Sequence, residues 1–161
     1  MTPRHMPNDL PFIDEFETVV EAPAAAVYLA VAERMARGLD GPGARAFAAL
    51  LNCAHRGTSY TVPPAEGQET NGFVVARVDE PRALVLEGQH RFATYRLSFF
   101  VDPLAEGRSR LRARTDAVFP GFAGAVYRAF VIGSSGHRLL VNRMLHAISR
   151  QAIHSHGPSA R

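Results

Sequence analysis

The chain of 161 residues has one cysteine, Cys53, which excludes an intramolecular disulfide and a cysteine-rich zinc centre. It has no lysine, so all 18 basic residues are arginine. No apolar run approaches the roughly 18 residues of a membrane-spanning helix, and the opening MTPRHMPNDL lacks the apolar core of a secretory signal. Charged residues make up only 20% and form no long block of one sign, which excludes a disordered chain and an acidic or basic tail. GxGxxG, GxxxxGK[ST], GxSxG and HExxH are all absent, so a phosphate-cradling loop, a serine-hydrolase elbow and a zinc-protease helix have no support. The expectation is a cytoplasmic protein with no metal and no cofactor.

What is present suits one domain. Hydrophobic residues make up 47% of the chain, enough for a single core, and no linker or repeat divides it. We expect a flexible stretch over 1–10, one domain over 11–153 and a flexible tail over 154–161. The net charge of +3 is small, and acids and arginines interleave along most of the chain, so no nucleic-acid partner is expected.

Alternation over 12–22 predicts a half-buried strand with Phe12, Phe16, Thr18 and Val20 on one side. Pro23 then opens a helix ending near Gly38, with Val27, Tyr28, Val31, Ala32 and Met35 on one stripe. A second helix is expected over 44–54 and a short strand over 58–62, within a loop-rich stretch. From Gly72 the period becomes two, predicting strands at 72–79, 83–90, 93–102 and 109–119. Their connections are too short for anything but antiparallel pairing. After Pro120 the period returns to that of a helix. Phe122, Val126, Phe130, Gly133, His137, Leu140, Met144 and Ile148 predict one terminal helix of about 30 residues, or about 45 Å.

One strand, two helices, an antiparallel run and a long final helix make an α+β protein whose last helix buries its stripe on the sheet. FETVVEAPAAAVYLAVA, VDEPRALVLEGQHRFATYRLSFFV, RSRLRARTDAVF and the closing PGFAGAVYRAFVIGSSGHRLLVNRMLHAISRQA cover about residues 12–152. In this order they resemble the helix-grip fold of the START-like (SRPBCC) superfamily, including its bacterial polyketide cyclase/dehydrase-like members. The resemblance implies a curved antiparallel sheet wrapped around the terminal helix, with a cavity between them. It carries no chemistry by itself, because one fold hosts many functions.

Candidate site residues follow from the faces. Leu111, Ala113, Thr115 and Ala117 form the covered side of one strand, and their small size leaves room beneath a helix unless Tyr95, Leu97, Phe99 and Val101 fill it. His137, on the helix stripe after GSSG, is read as a ligand donor or general acid/base, or else as a core histidine satisfied by Tyr95, Thr115 or a carbonyl. His90 and Arg91 stand at a strand end, where His90 points inward unless Gly88 forms a bulge. Arg108, Arg110, Arg112 and Arg114 form a ladder suited to phosphate, or a solvated face paired with acids such as Glu87. Cys53 is read as a small helix residue rather than a nucleophile paired with His55.

Three functions compete. The first is binding of a small apolar or polyketide-like molecule, contacted by Phe73, His90, Tyr95, Phe99, Thr115, Phe130, His137 and Met144. The second is a cyclase, aromatase or dehydratase in the same cavity, with His137 or Tyr95 moving a proton and no cofactor. The third is a filled module that acts through its surface. None requires stable membrane insertion, and the oligomeric state and ligand identity stay open.

Overall fold

The computed structural model describes residues 10–37, 53–54, 59–70, 72–131 and 136–156, apart from the side chains of residues 130, 131, 136 and 137. The helix expected over 44–54 falls largely outside the described residues. Strand β1 (Phe12–Val20) precedes helix α1 (Ala24–Arg37). Then come β2 (Glu69–Thr70), β3 (Phe73–Asp79), β4 (Ala83–His90), β5 (Ala93–Pro103) and β6 (Ser109–Val118). Two helices close the chain, α2 (Gly121–Val131) and α3 (Gly136–His156). The strands form one antiparallel sheet in the order β1-β6-β5-β4-β3-β2. Short turns make β2 to β6 a meander, while β1 is joined to β6 only through the fold. The expected α+β helix-grip architecture is present.

Registration aligns the inner face in rows. Phe16, Ala113, Phe99, Leu84 and Val78 form one row across the sheet, and Asp14, Thr115, Leu97, Leu86 and Val75 form the next. The covered side of β6 is the one expected, with Leu111, Ala113, Thr115 and Ala117 all buried. On α1 the predicted stripe Val27, Tyr28, Val31 and Ala32 is buried, and Pro23 accepts the first helical bonds from the amides of Ala26 and Val27. On α3 the buried positions are Val141, Leu145, Ile148 and Ala152, at spacings of three and four. They join Phe99, Val101, Leu111 and Ala113 in one core, and α3 packs on α1, β1 and β6. A polar seam clamps the two helices together. Arg37 donates to Gln151 at 2.8 Å and to Glu33 at 3.4 Å, and Gln151 also donates to Glu33.

Several expectations are corrected. The terminal helix is expected as one segment of about 30 residues; the described residues give α2, of 11 residues, and α3, of 21, and residues 132–135 between them lie outside the described residues. The apolar period runs through both, but burial follows the opposing surface: Phe122, Val126 and Leu140 are exposed, and the buried face of α3 is displaced by one residue to Val141 and Leu145. Phe12 is 57% exposed because the register shifts between Phe12 and Asp14, and one residue of slip exchanges faces. The guanidinium of Arg114 covers its ring at 5.2 Å. Residues 59–62 are not a strand. The Tyr60 amide bonds the Glu69 carbonyl at 3.1 Å, but the Glu69 amide is taken by the Ser59 hydroxyl, and Pro63 and Pro64 have no N–H to donate. Cys53 and Ala54 are not helical, and the Ala54 amide bonds the Gln89 carbonyl at 2.8 Å.

Candidate functional site

The inner face is sealed at one end and half-open at the other. Phe99 and Val101 are at most 2% exposed, whereas Phe73, His90, Tyr95 and Leu97 on neighbouring rows are only half-buried. Phe73 of β3, Tyr95 and Leu97 of β5 and the imidazole of His90 on β4 thus stay partly accessible at the end where α2 begins.

Tyr95 organises this end. It lies opposite Gly88 in the β4–β5 pairing, and its ring extends across that strand so that its hydroxyl donates to the Gly72 carbonyl at 2.9 Å. A Cβ at Gly88 would overlap both the Tyr95 ring and the Gly72 carbonyl oxygen, so this position needs glycine for close approach. The β4–β5 register runs unbroken from Ala83 to His90, so Gly88 forms no bulge and His90 keeps its inward direction. Burial, then the neighbouring Cys53 and Tyr127, push the Tyr95 phenol well above its ordinary value. Phe73 packs edge-on against Tyr95, with centroids 5.2 Å apart.

His90 is ringed by aromatics. Its imidazole lies 5.1 Å from the Tyr127 ring, 5.4 Å from Tyr95 and 6.4 Å from Phe92, while Phe92 and Tyr127 stack at 5.6 Å. Tyr127 comes from α2, so the cluster joins that helix to the β4–β5 turn. The Phe92 amide donates to His90 Nδ1 at 3.1 Å, so the neutral ring carries its proton on Nε2. Burial lowers the His90 pKa, and protonating Nδ1 would set it against the Phe92 N–H. The result is a neutral ring with one remaining donor, Nε2–H, suited to holding an acceptor rather than to abstracting a proton.

No protein-family model matches the chain, and no curated protein matches it. Comparison of folds is specific. The Zhui aromatase/cyclase from Streptomyces sp. R1128 superposes with a TM-score of 0.55 at 15% identity, over 89% of this chain and 94% of that one. A START superfamily protein from Mycobacterium smegmatis gives 0.53 at 16% identity, over 87% and 98%. Norcoclaurine synthase from Thalictrum flavum gives 0.51 at 15% identity, over 89% and 96%. The chain shares the helix-grip fold of these structures.

Within this helix-grip frame the predicted residues separate. Phe73, His90 and Tyr95 come together in the half-open cluster. Phe99 is a core residue and Thr115 is buried on β6, while Met144 on α3 packs partly buried against the core. The side chains of Phe130 and His137 lie outside the described residues. Sequence reasoning missed Tyr127 and the role of Gly88. Tyr127 falls one residue off the predicted stripe, but Gly88 facing Tyr95 is visible once the hairpin register is drawn. It also missed a second polar spot, where the hydroxyls of Tyr28 and Tyr60 are buried without a hydrogen-bond partner among the described residues. Burial, helped by Glu80 and Asp79, pushes Tyr28 up to about 12, and burial beside Tyr28 raises Tyr60 as well.

The arginine ladder is the solvated, acid-paired face. Arg112 bonds Asp102 at 3.0 Å and reaches Glu15 at 3.5 Å, Arg114 holds Asp116 at 2.8 Å, and Arg110 faces Glu17 at 4.0 Å. Glu87, expected to serve the ladder, instead pairs with Arg96 across β4 and β5. Arg108 reaches Glu106 at 3.5 Å, so each arginine of the ladder has a carboxylate beside it where a phosphate would otherwise sit.

Proposed function

We propose that the protein binds a small, flat, largely apolar molecule at the half-open end of the helix-grip sheet. Phe73, Phe92, Tyr95 and Tyr127 supply the apolar contact, and His90 Nε2–H donates to one carbonyl or phenolic oxygen on the ligand. The observation that carries this reading is the neutral His90 ring, fixed in one tautomer by the Phe92 amide and enclosed by three aromatic rings. Pockets that combine an aromatic lining with a single placed donor orient a ligand while burial provides the affinity. The aromatase/cyclase and synthase among the fold's neighbours act on substrates, but proton abstraction has little support here. Nδ1 is occupied, Nε2 is protonated, and the Tyr95 hydroxyl is spent on the Gly72 carbonyl. Binding without turnover is therefore the preferred reading.

Native mass spectrometry against a library of lipids and aromatic polyketides tests it. Wild-type protein should retain flat aromatic members, and both His90→Ala and Tyr127→Leu should weaken retention by about tenfold, the scale of one aromatic contact or charge-free hydrogen bond in an apolar site. Absence of any retained molecule, or retention that ignores both substitutions, removes the proposal. Chemical conversion of a retained molecule would favour the cyclase instead.

A further inference from the structure

The helix that supplies Tyr127 is turned inside out. On α2, Gly124 is buried and Tyr127 half-buried against the cluster, while the outward face carries Phe122, Ala125, Val126 and Ala129, all exposed. Phe122 is 87% exposed and Val126 54%, and Leu139 and Leu140 in the first turns of α3 are exposed by 54% and 52%. Large apolar side chains at this density on a solvent face mark a surface that is covered in use.

Charge says by what. All 15 acids lie at or before Asp116, so residues 117–161 contain no Asp or Glu but five arginines and four histidines. With 13 of the 18 arginines among its 116 residues, the first part of the chain carries 13 − 15 = −2, against +5 for the last 45. The arginines of the sheet face carboxylates, whereas Arg128, Arg138, Arg143 and Arg150 are exposed with no acidic partner among the described residues. Exposed Phe, Val and Leu among unpaired arginines form the pattern of an interfacial helix on an anionic bilayer. A second copy seated on the same face would set arginine against arginine. A nucleic acid would leave Phe122 and Val126 without a use.

We propose that α2 and the start of α3 dock this protein on an anionic lipid surface. The apolar side chains of α2 enter the headgroup boundary and the arginines of both helices lie against lipid phosphates. The proposal is independent of the ligand reading, and empty vesicles test it without any bound small molecule. It also places the membrane next to the His90 cluster, because Tyr127 belongs to the docking helix.

The experiment is co-sedimentation of the full chain with vesicles of phosphatidylcholine alone or mixed equally with phosphatidylglycerol, at about 0.1 and 0.5 M salt. Binding should require phosphatidylglycerol and weaken with salt. Phe122→Ser with Val126→Ser should reduce it by tenfold or more, from the lost apolar burial. Arg128→Gln and Arg143→Gln should each reduce it about fivefold. The arginine variants keep the test valid if the serine variant melts early. No binding to anionic vesicles, equal binding to both compositions, or binding indifferent to these substitutions overturns the proposal. So does concentration-dependent self-association that the serine variant abolishes while vesicles are ignored, which would assign the face to a second copy.

Discussion

At the scale of single residues, His90 combines two constraints that act in the same direction. Burial disfavours its charged form, and the Phe92 amide already occupies Nδ1. In the unfolded chain the same ring titrates near 6.5, so below that pH the unfolded state takes up a proton that the folded state refuses. The stability His90 contributes is therefore complete above about pH 6.5 and is lost as the pH falls toward its lowered folded value. Thermal melts of wild type and His90→Gln at about pH 7.5 and pH 5.5 check this. Wild type should lose more of its melting temperature on acidification than the variant, and equal losses would show that His90 is not held neutral. The inward direction of His90 was legible, because alternation along β4 places it with Leu84 and Leu86. Its tautomer was not, since that depends on a turn amide two residues away whose direction only the folded hairpin fixes. Phe12 shows the complementary failure: alternation holds from Phe16 to Val20, but a one-residue shift near the strand's start sends Phe12 outward, and composition carries no sign of it.

At the scale of elements, the strands from β3 to β6 were readable nearly to the residue, because each is paired with its neighbour through a short turn. The helices were less so. A period of three to four runs from Phe122 to Ile148, yet the surface a helix face meets is set by distant strands, so the pattern could not say which half is buried or in which phase. The structure makes that phase testable. Ile148 is fully buried in the core with Leu145, while Leu140, on the predicted stripe, is 52% exposed. Ile148→Ala should cost about 2–5 kcal/mol, as core truncations that leave a cavity do, and Leu140→Ala should change stability by less than about 0.5 kcal/mol. Urea denaturation of the two variants measures both. Comparable losses would mean that α3 packs in the phase read from the sequence rather than with Val141 and Leu145 inward.

At the scale of the whole molecule, the sheet is asymmetric in a way that links its stability to its use. The end holding Phe99, Val101, Leu111 and Ala113 is closed by α1 and α3, and a bound molecule has nothing to replace there. The end holding Tyr95, Leu97, His90 and Phe73 is half-buried, and local stability should fall with the loss of buried contacts. Amides of Ser98–Phe100 should accordingly exchange with deuterium more slowly than those of Thr94–Leu97, even though both stretches are paired on two sides by β4 and β6. A planar probe such as 2-naphthol should then slow exchange across residues 88–97 and in α2, leaving the sealed end unchanged. Each tenfold gain in probe concentration above its dissociation constant should deepen that protection by about 1.4 kcal/mol. Uniform protection over the sheet, or protection confined to the Phe99 end, would place the guest elsewhere. Slowing limited to the His90 end and α2 would follow only if Tyr127 and the β4–β5 turn close on the guest together, because they are the two sides of one aromatic cluster.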